Sequence, residues 1–290
     1  MSDGRPFSNC ILDLAPPDIA WFRERSDIIL VPIGSCEQHG AHLPIGTDTI
    51  TALEVSRRAA AKADVPYTAP FWAGYSPQHM RETESSVGTI TLRAETLNAV
   101  LYDILRSLIH HGWNKLILVN GHGSNTKVID PLLRRIKYDT GALVALYKPY
   151  AERYIGILEG LLDNPPEETP GWHSSELETS QILAYNEKLV RMDRAIKEIT
   201  HGPKWLPKEF HKNDGMPEVS FKGFEYFTFP MEHRDFSDTG TIGNPLRGSK
   251  EKGEKCLELY SSHLAEAIAH FEKVPVELRP GVQEFVDRAL

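Results

Sequence analysis

Glu37, His39 and Asp48 bring two carboxylates and an imidazole into one short stretch, just after the apolar run Ile28-Ile29-Leu30-Val31-Pro32-Ile33-Gly34. That run reads as a buried strand. A strand delivers the loop at its C-terminal end to the rim of a sheet, where α/β enzymes place their chemistry. Side chains of extended backbone alternate sides, so Glu37 and His39 leave the same edge while Cys36 turns toward the core. A second buried run, Lys115-Leu116-Ile117-Leu118-Val119, ends in Asn120-Gly121-His122-Gly123-Ser124-Asn125. Its glycines let the backbone turn sharply and leave space around the imidazole of His122. A third segment, from His173 to Ser180, adds one more histidine and two glutamates, Glu176 and Glu178.

Glu37, His39, Asp48 and His122 form an oxygen and nitrogen set without sulfur, which suits Zn, Mn or Fe. Asp48 has two oxygens and could bridge two ions about 3.5–4 Å apart, the spacing of two-metal hydrolytic sites. One ion would then take Glu37 and His122, the other His39 and a carboxylate from the third segment. A water held between such ions has its pKa lowered toward about 7, giving hydroxide near neutrality. Plainer readings stand beside these. Asp48 could cap the helix that begins there, His122 could be satisfied by local backbone, and Glu176 fits a helix N-terminus through the dipole. On a helix, Glu176 and Glu178 lie about 200° apart, so at most one of them faces the ions.

The elements that must hold these residues alternate short apolar runs with helical patterns, as in a largely parallel sheet covered on both faces. Further strands are predicted over Val65–Pro70, Gly88–Leu92 and 142–147. Helices are predicted from about Asp48, over 125–138, from about Ser174 to Asn186 with a shorter one after it, and from Ser249 to about Phe271. Leu97, Val100, Leu101, Ile104, Leu105 and Leu108 keep helical spacing and should form a core-facing stripe. The stretch 200–247 lacks helical periodicity and carries Trp205, Phe210, Phe221, Phe224, Tyr226, Phe227 and Phe229. It reads as an aromatic-rich loop region that could wall a pocket, cover a neighbouring subunit or pack on the sheet. The tail after Pro275 reads as peripheral, and residues 1–290 as one domain.

Composition narrows the function classes. The 290 residues carry a net charge of -8, which gives no support to nucleic-acid or anionic-membrane binding. Cys10, Cys36 and Cys256 are scattered with no CxxC, against a disulfide framework or a thiolate zinc site. There is no signal-peptide pattern at the N-terminus and no apolar run near the roughly 18 residues that span a bilayer. The expectation is a cytoplasmic protein. No GxGxxG or P-loop follows any strand, which weakens a nucleotide-binding reading.

The motif Pro32-Ile33-Gly34-Ser35-Cys36-Glu37-Gln38-His39-Gly40, with Leu43-Pro44 and Thr47-Asp48, resembles that of the creatininase (creatinine amidohydrolase) family. So do Asn120-Gly121-His122-Gly123-Ser124-Asn125, the His173–Ser180 segment and Gly240-Thr241-Ile242-Gly243-Asn244-Pro245. The resemblance runs from about residue 10 to 272. It implies a three-layer α/β/α sandwich with a mostly parallel central sheet, two divalent metal ions (Zn, Mn or Fe) per subunit, and homo-oligomers that are often hexamers. It further implies Glu37, His39, Asp48 and His122 as metal ligands, Asp48 bridging, and His173 as the group that handles the proton at the scissile bond. Creatininase itself supplies a ligand glutamate two residues after the second-motif histidine, where this chain has Ser124, a poor ligand. The missing carboxylate is therefore expected from Glu176, with Glu178 as the alternative. Trp172, His79 and Ser124 are expected on the substrate side. His42 is read as holding the loop, His110 and His111 as capping or surface residues, and His233 and Asp235 as residues of the aromatic loop that could reach the site.

The function expected is a dinuclear metal-dependent hydrolase of a small polar molecule, with metal-held hydroxide attacking a carbonyl and His173 protonating the departing atom. The family mostly cleaves non-peptide C–N bonds in cyclic amides and formamides. Some members are implicated in C–C hydrolysis of dehydro-inososes, keto-cyclitols of carbohydrate catabolism. Both reactions need hydroxide and a polarised carbonyl, so the ligand set does not separate them; the amide is ranked first, and Ser124 argues against creatinine. A non-catalytic metal- or ligand-binding protein is the reading from a different class.

Overall fold

Six-residue apolar runs with no polar interruption can be satisfied only where both faces of a sheet are covered. Ile28–Ile33 (β1) is such a run, and Lys115–Asn120 (β2) holds four apolar residues between Lys115 and Asn120; both strands are buried at every position. A computed structural model describes residues 4–80, 87–149, 157–163, 165, 168, 173–211 and 218–282. In it β1, β2 and Leu143–Tyr147 (β3) form a parallel sheet in the order β1-β2-β3. The register pairs Ile28 with Lys115 and Ile33 with Asn120, so the C-terminal ends of β1 and β2 lie side by side.

Alternation along the strands divides the core into two layers. Ile29, Val31, Ile33, Leu116 and Leu118 pack with Leu97, Leu101 and Leu105 of helix α3 (Ala94–His110) and with Ile129, Leu132 and Ile136 of α4 (Asn125–Thr140). Phe22, from α1 (Pro16–Arg23), joins the same layer. On the opposite face Ile28, Leu30, Ile117 and Val119 meet Val55, Ala59 and Ala60 of α2 (Thr47–Ala63) and Leu257, Tyr260, Leu264 and Ile268 of α6 (Lys250–Phe271). Helix α5 (Glu176–Asn186) packs against α6 and α2. This is the three-layer α/β/α arrangement expected from the sequence.

Four expectations change. Residues 65–71 hydrogen-bond beside β1 through Leu30 N–H to Pro66 O, Thr68 N–H to Leu30 O and Phe71 N–H to Pro32 O, but form only isolated bridges. Pro66 and Pro70 have no N–H to donate, so a continuous ladder cannot form there. Gly88–Leu92 likewise contributes a single bridge, Ile90 to Cys36.

The aromatic stretch holds a small antiparallel sheet rather than a loop: β4 (Phe210–His211), β5 (Glu218–Phe221) and β6 (Phe224–Thr228). Lys222 and Gly223 both have positive φ, 52° and 86°, the two-residue hairpin turn whose twist matches the strands it joins. The tail is not wholly peripheral, because Val282 is buried with α3 and α4 and Arg279 N–H bonds Thr140 O. Among the described residues, no helix is long and apolar enough to cross a membrane.

Candidate metal centre

Two glycines place Asp48. A Cβ on Gly34, at the end of β1, would lie 2.4 Å from Thr49 Cα, and one on Gly121, at the end of β2, would lie 2.1 Å from Asp48 O. Only glycine lets the first turn of α2 descend onto both strand ends. Asp48 does not cap its helix: Gly46 holds the N-cap position without a side-chain bond. The carboxylate of Asp48 instead lies between the loops after β1 and β2.

There His39 Nε2 stands 3.2 Å from Asp48 Oδ1 and 3.6 Å from Glu178 Oε2. His122 Nδ1 stands 3.1 Å from Asp48 Oδ2 and 3.3 Å from Glu37 Oε1. The structure thus gathers two overlapping groups, Glu37/Asp48/His122 and His39/Asp48/Glu178, with Asp48 common to both. Glu37, His39, Asp48 and His122 are all buried.

Each imidazole is oriented through its other nitrogen. His39 Nδ1 lies 3.1 Å from Glu37 O, and His122 Nε2 lies 3.0 Å from Tyr75 O and 3.2 Å from Ser76 Oγ. A backbone carbonyl can only accept, so those nitrogens carry N–H, and the remaining nitrogen of each ring faces the carboxylates. Yet, among the described residues, neither His39 Nε2 nor Asp48 Oδ2 has a hydrogen bond of acceptable direction. Ligand atoms about 2.0–2.1 Å from a shared tetrahedral ion stand about 3.3 Å from one another. The spacings of 3.1–3.6 Å are of that kind, so the residues present fit a pair of cations. Two buried carboxylates, Glu37 and Asp48, with the half-buried Glu178 beside them, also require compensating positive charge.

Without metal, protons take that role. Burial disfavours the charged form of His39, but Asp48 and Glu178 outweigh it and hold the imidazole well above its usual range. His122 is likewise raised against burial, chiefly by Glu37. Burial lifts Glu37, and the positive charge of His122 beside it more than reverses this. Glu178 is raised by burial despite His39.

Helix α5 settles which glutamate arrives. Glu178 faces His39 and accepts from Ser174 N–H at 2.6 Å, where Ser174 has φ 53°. Glu176, expected from the sequence at the centre, points the opposite way. Its carboxylate pairs with Lys252 of α6 at 2.6 Å and accepts from Asp163 N–H. The half-turn between these two positions, read from the sequence, separates them as helical geometry requires.

His173 lies beside the cluster, its ring 4.4 Å from that of His39, with Nδ1 3.9 Å from Glu37 Oε1. Burial and then the neighbouring imidazoles hold it well below the usual histidine range, so it is neutral near pH 7. His79 is buried with Nε2 3.5 Å from Glu37 Oε1. Ser124 sits at the start of α4 and receives a hydrogen bond from Gln78 Nε2. Trp172 lies outside the described residues. His42 bonds Thr179 Oγ1 and ties the loop to α5, while Cys36 is buried against Gly88. His110 and His111 end α3, which leads into the N-terminal end of β2, the opposite end of that strand from His122. Asp235 accepts from Trp205 Nε1 rather than joining the cluster. His233, by contrast, is buried with its ring 4.6 Å from both His79 and His173. Only its place in an aromatic stretch hinted at this.

An α/β sandwich with a buried carboxylate and imidazole cluster at adjacent strand ends is an arrangement suited to metal-assisted chemistry. The family model for creatininase, described as creatinine amidohydrolase, matches residues 13–268, and the chain belongs to that family. It is an enzyme, a hydrolase. Creatinine amidohydrolase of Pseudomonas putida is 28% identical over 253 residues, 83% of this chain and 88% of that protein. The 3-dehydro-scyllo-inosose hydrolase of Thermotoga maritima is 28% identical over 274 residues, 91% of this chain and 84% of that one. Among solved structures, a creatininase superposes with TM-score 0.71 at 25% identity, covering 93% of this chain and 100% of its own. A mutant creatininase of Zn-Zn type gives 0.72 at 27% over the same shares.

Proposed function

We propose that the chain is a dinuclear metal-dependent hydrolase of a small polar substrate, acting on a carbonyl and most readily on a non-peptide C–N bond of a cyclic amide or formamide. The observation that carries this is the shared carboxylate of Asp48, set between two histidine and carboxylate pairs with ligand-like spacing, its Oδ2 and the facing His39 Nε2 without a hydrogen bond among the described residues. Glu37, Asp48 and His122 would hold one ion and His39, Asp48 and Glu178 the other. The Zn-Zn and Mn forms of creatininase support divalent ions, Zn, Mn or Fe here. When bound, two such ions polarise a carbonyl oxygen and bring the pKa of water toward about 7.

The chain's own residues do the rest. His39 and His122 are locked in orientation by backbone carbonyls, so no reorganisation is needed on metal uptake. His173 is neutral, with its bare Nδ1 on the side of Glu37, so it can accept a proton there and pass it to the departing nitrogen or carbon. Burial of the whole group excludes bulk water and strengthens each electrostatic contact. Ser124 is occupied by Gln78 and can join the substrate side only by exchanging that bond.

A second reading, C–C hydrolysis of a keto-cyclitol, is favoured by the match to the inosose hydrolase over 91% of this chain. Assay of metal-replete protein against cyclic amides, formamides and dehydro-inososes distinguishes the two. Turnover of amides alone is expected; turnover of keto-cyclitols alone would reverse the assignment. Elemental analysis should find about two ions per chain, as a two-metal site requires. The homo-oligomer and cytoplasmic location are part of the same proposal, and sedimentation of the purified protein above the monomer mass tests the first.

A further inference from the structure

Gln38 lies between two proposed ligands, Glu37 and His39, yet its side chain turns away from them. The Oε1 atom accepts from Gly40 N–H at 2.9 Å, which fixes the amide so that Nε2, the donor, faces the imidazoles. A Cβ on Gly240, where φ is 81°, would lie 2.1 Å from that same Oε1, so a side chain at 240 would displace this amide as well as strain the backbone. Nε2 is 3.1 Å from His79 Nδ1, 3.4 Å from His233 Nδ1 and 3.4 Å from His173 Nε2. Three ring nitrogens thus surround one NH2 group, which has two hydrogens to give.

Elimination assigns them. His173 Nε2 is 3.1 Å from the carbonyl oxygen of Gln38, and a carbonyl only accepts, so that nitrogen carries a proton and takes none from the amide. The two amide hydrogens are left for His79 Nδ1 and His233 Nδ1, both of which must present lone pairs. Their protons then sit on Nε2. For His79 that N–H faces Glu37 Oε1 at 3.5 Å. For His233, Nε2 is buried and has no hydrogen-bond partner among the described residues. A buried unpaired donor is costly, about 1–3 kcal/mol, and in a native fold calls for a reason.

We propose that Gln38 is a positioning residue that sets the proton arrangement of His79, His173 and His233, and that it thereby leaves His233 Nε2–H free to donate a hydrogen bond to an oxygen of the substrate. This rests on the hydrolase reading of the neighbouring cluster. Hydrolysis of an amide or of a ketone leaves a carboxylate in either case, so a simple carboxylate, acetate, serves as the probe.

The test is long-range proton–nitrogen NMR of the histidine rings in zinc-loaded protein. At neutral pH, His79 and His233 should show bare Nδ1 and protonated Nε2. Saturating acetate should shift the His233 Nε2–H resonance. In Gln38→Glu the side chain keeps its length but can only accept, so both Nδ1 atoms should become protonated, with metal content unchanged. Gln38→Met, which removes both hydrogens without adding charge, should release the two rings into mixed tautomers and serves if Gln38→Glu fails to fold. Protonated Nδ1 on His79 and His233 in the unaltered protein, or rings indifferent to both substitutions, would overturn the role of Gln38. A His233 resonance unmoved by acetate would overturn the donor. These readouts need no turnover, so failure of the hydrolase reading shows separately, as absent activity with the tautomers intact.

Discussion

Glu176 and Glu178 are two residues apart and chemically the same, yet Glu178 alone reaches the cluster. Replacing Glu178 with Gln should weaken metal binding by at least about 100-fold, above the roughly 10–100-fold that loss of an outer-shell partner costs. Glu176→Gln should leave metal content unchanged and destabilise the fold by about 1–3 kcal/mol, because Lys252 keeps a weaker partner. Metal titration and thermal melting of the two variants separate these outcomes, and equal metal loss in both would contradict the assignment. The protons on His39 and His122 give a second expectation. Their folded values are raised, so the metal-free chain keeps protons that ions must displace. Apparent affinity should therefore rise with pH and level off above the raised folded values. Titration calorimetry in buffers of different ionisation enthalpy should show proton release. The same sign governs stability: these two groups stabilise the metal-free fold fully below the ordinary histidine value of about 6.5, and that contribution fades as pH rises through their folded values.

Helix α2 and the strands β1 and β2 meet through Gly34 and Gly121, and the metal centre depends on how near they come. Gly121→Ala would force its Cβ into Asp48 O, cost about 1–3 kcal/mol by overpacking and draw Asp48 away from His122. Lower Tm together with reduced metal stoichiometry is expected, whereas a loss of stability with full metal content would show that the close approach serves packing only. Gly253 does the same work between helices: its Cβ would lie 1.9 Å from Ser180 O, so α6 rests directly on the backbone of α5. That contact, with the Lys252 pair beside it, sets the rotation of α5 and hence which glutamate faces inward.

Across the whole molecule the two apolar layers hold the sheet without metal, while the centre gathers three carboxylates into one buried place. The fold should therefore survive chelation but lose stability. At ion concentrations of 100 times Kd, each bound ion adds about 2.7 kcal/mol. Chelator treatment should lower Tm by several degrees, readdition of Zn or Mn should restore it, and the gap should widen with pH because the protonated apo histidines no longer compensate. An unchanged Tm across that series would mean that the cluster does not take up metal in the folded state.

Residue types in order along the chain determined a good part of this protein. Short apolar runs bounded by turn residues pointed to inner strands, glycines around His122 to a tight turn, and acids and imidazoles at two strand ends to one shared place. Helical periodicity did as much for the stripe of α3 and for α6. What the order of residues does not carry is the rotation of one element against another. Glu178 rather than Glu176, and His233 beside His173, follow from how α5 seats on α6 and how a segment sixty residues later in the chain folds back over Gln38. Those contacts depend on distances between elements far apart in sequence, and local pattern has no term for them; only the assembled tertiary structure decides them.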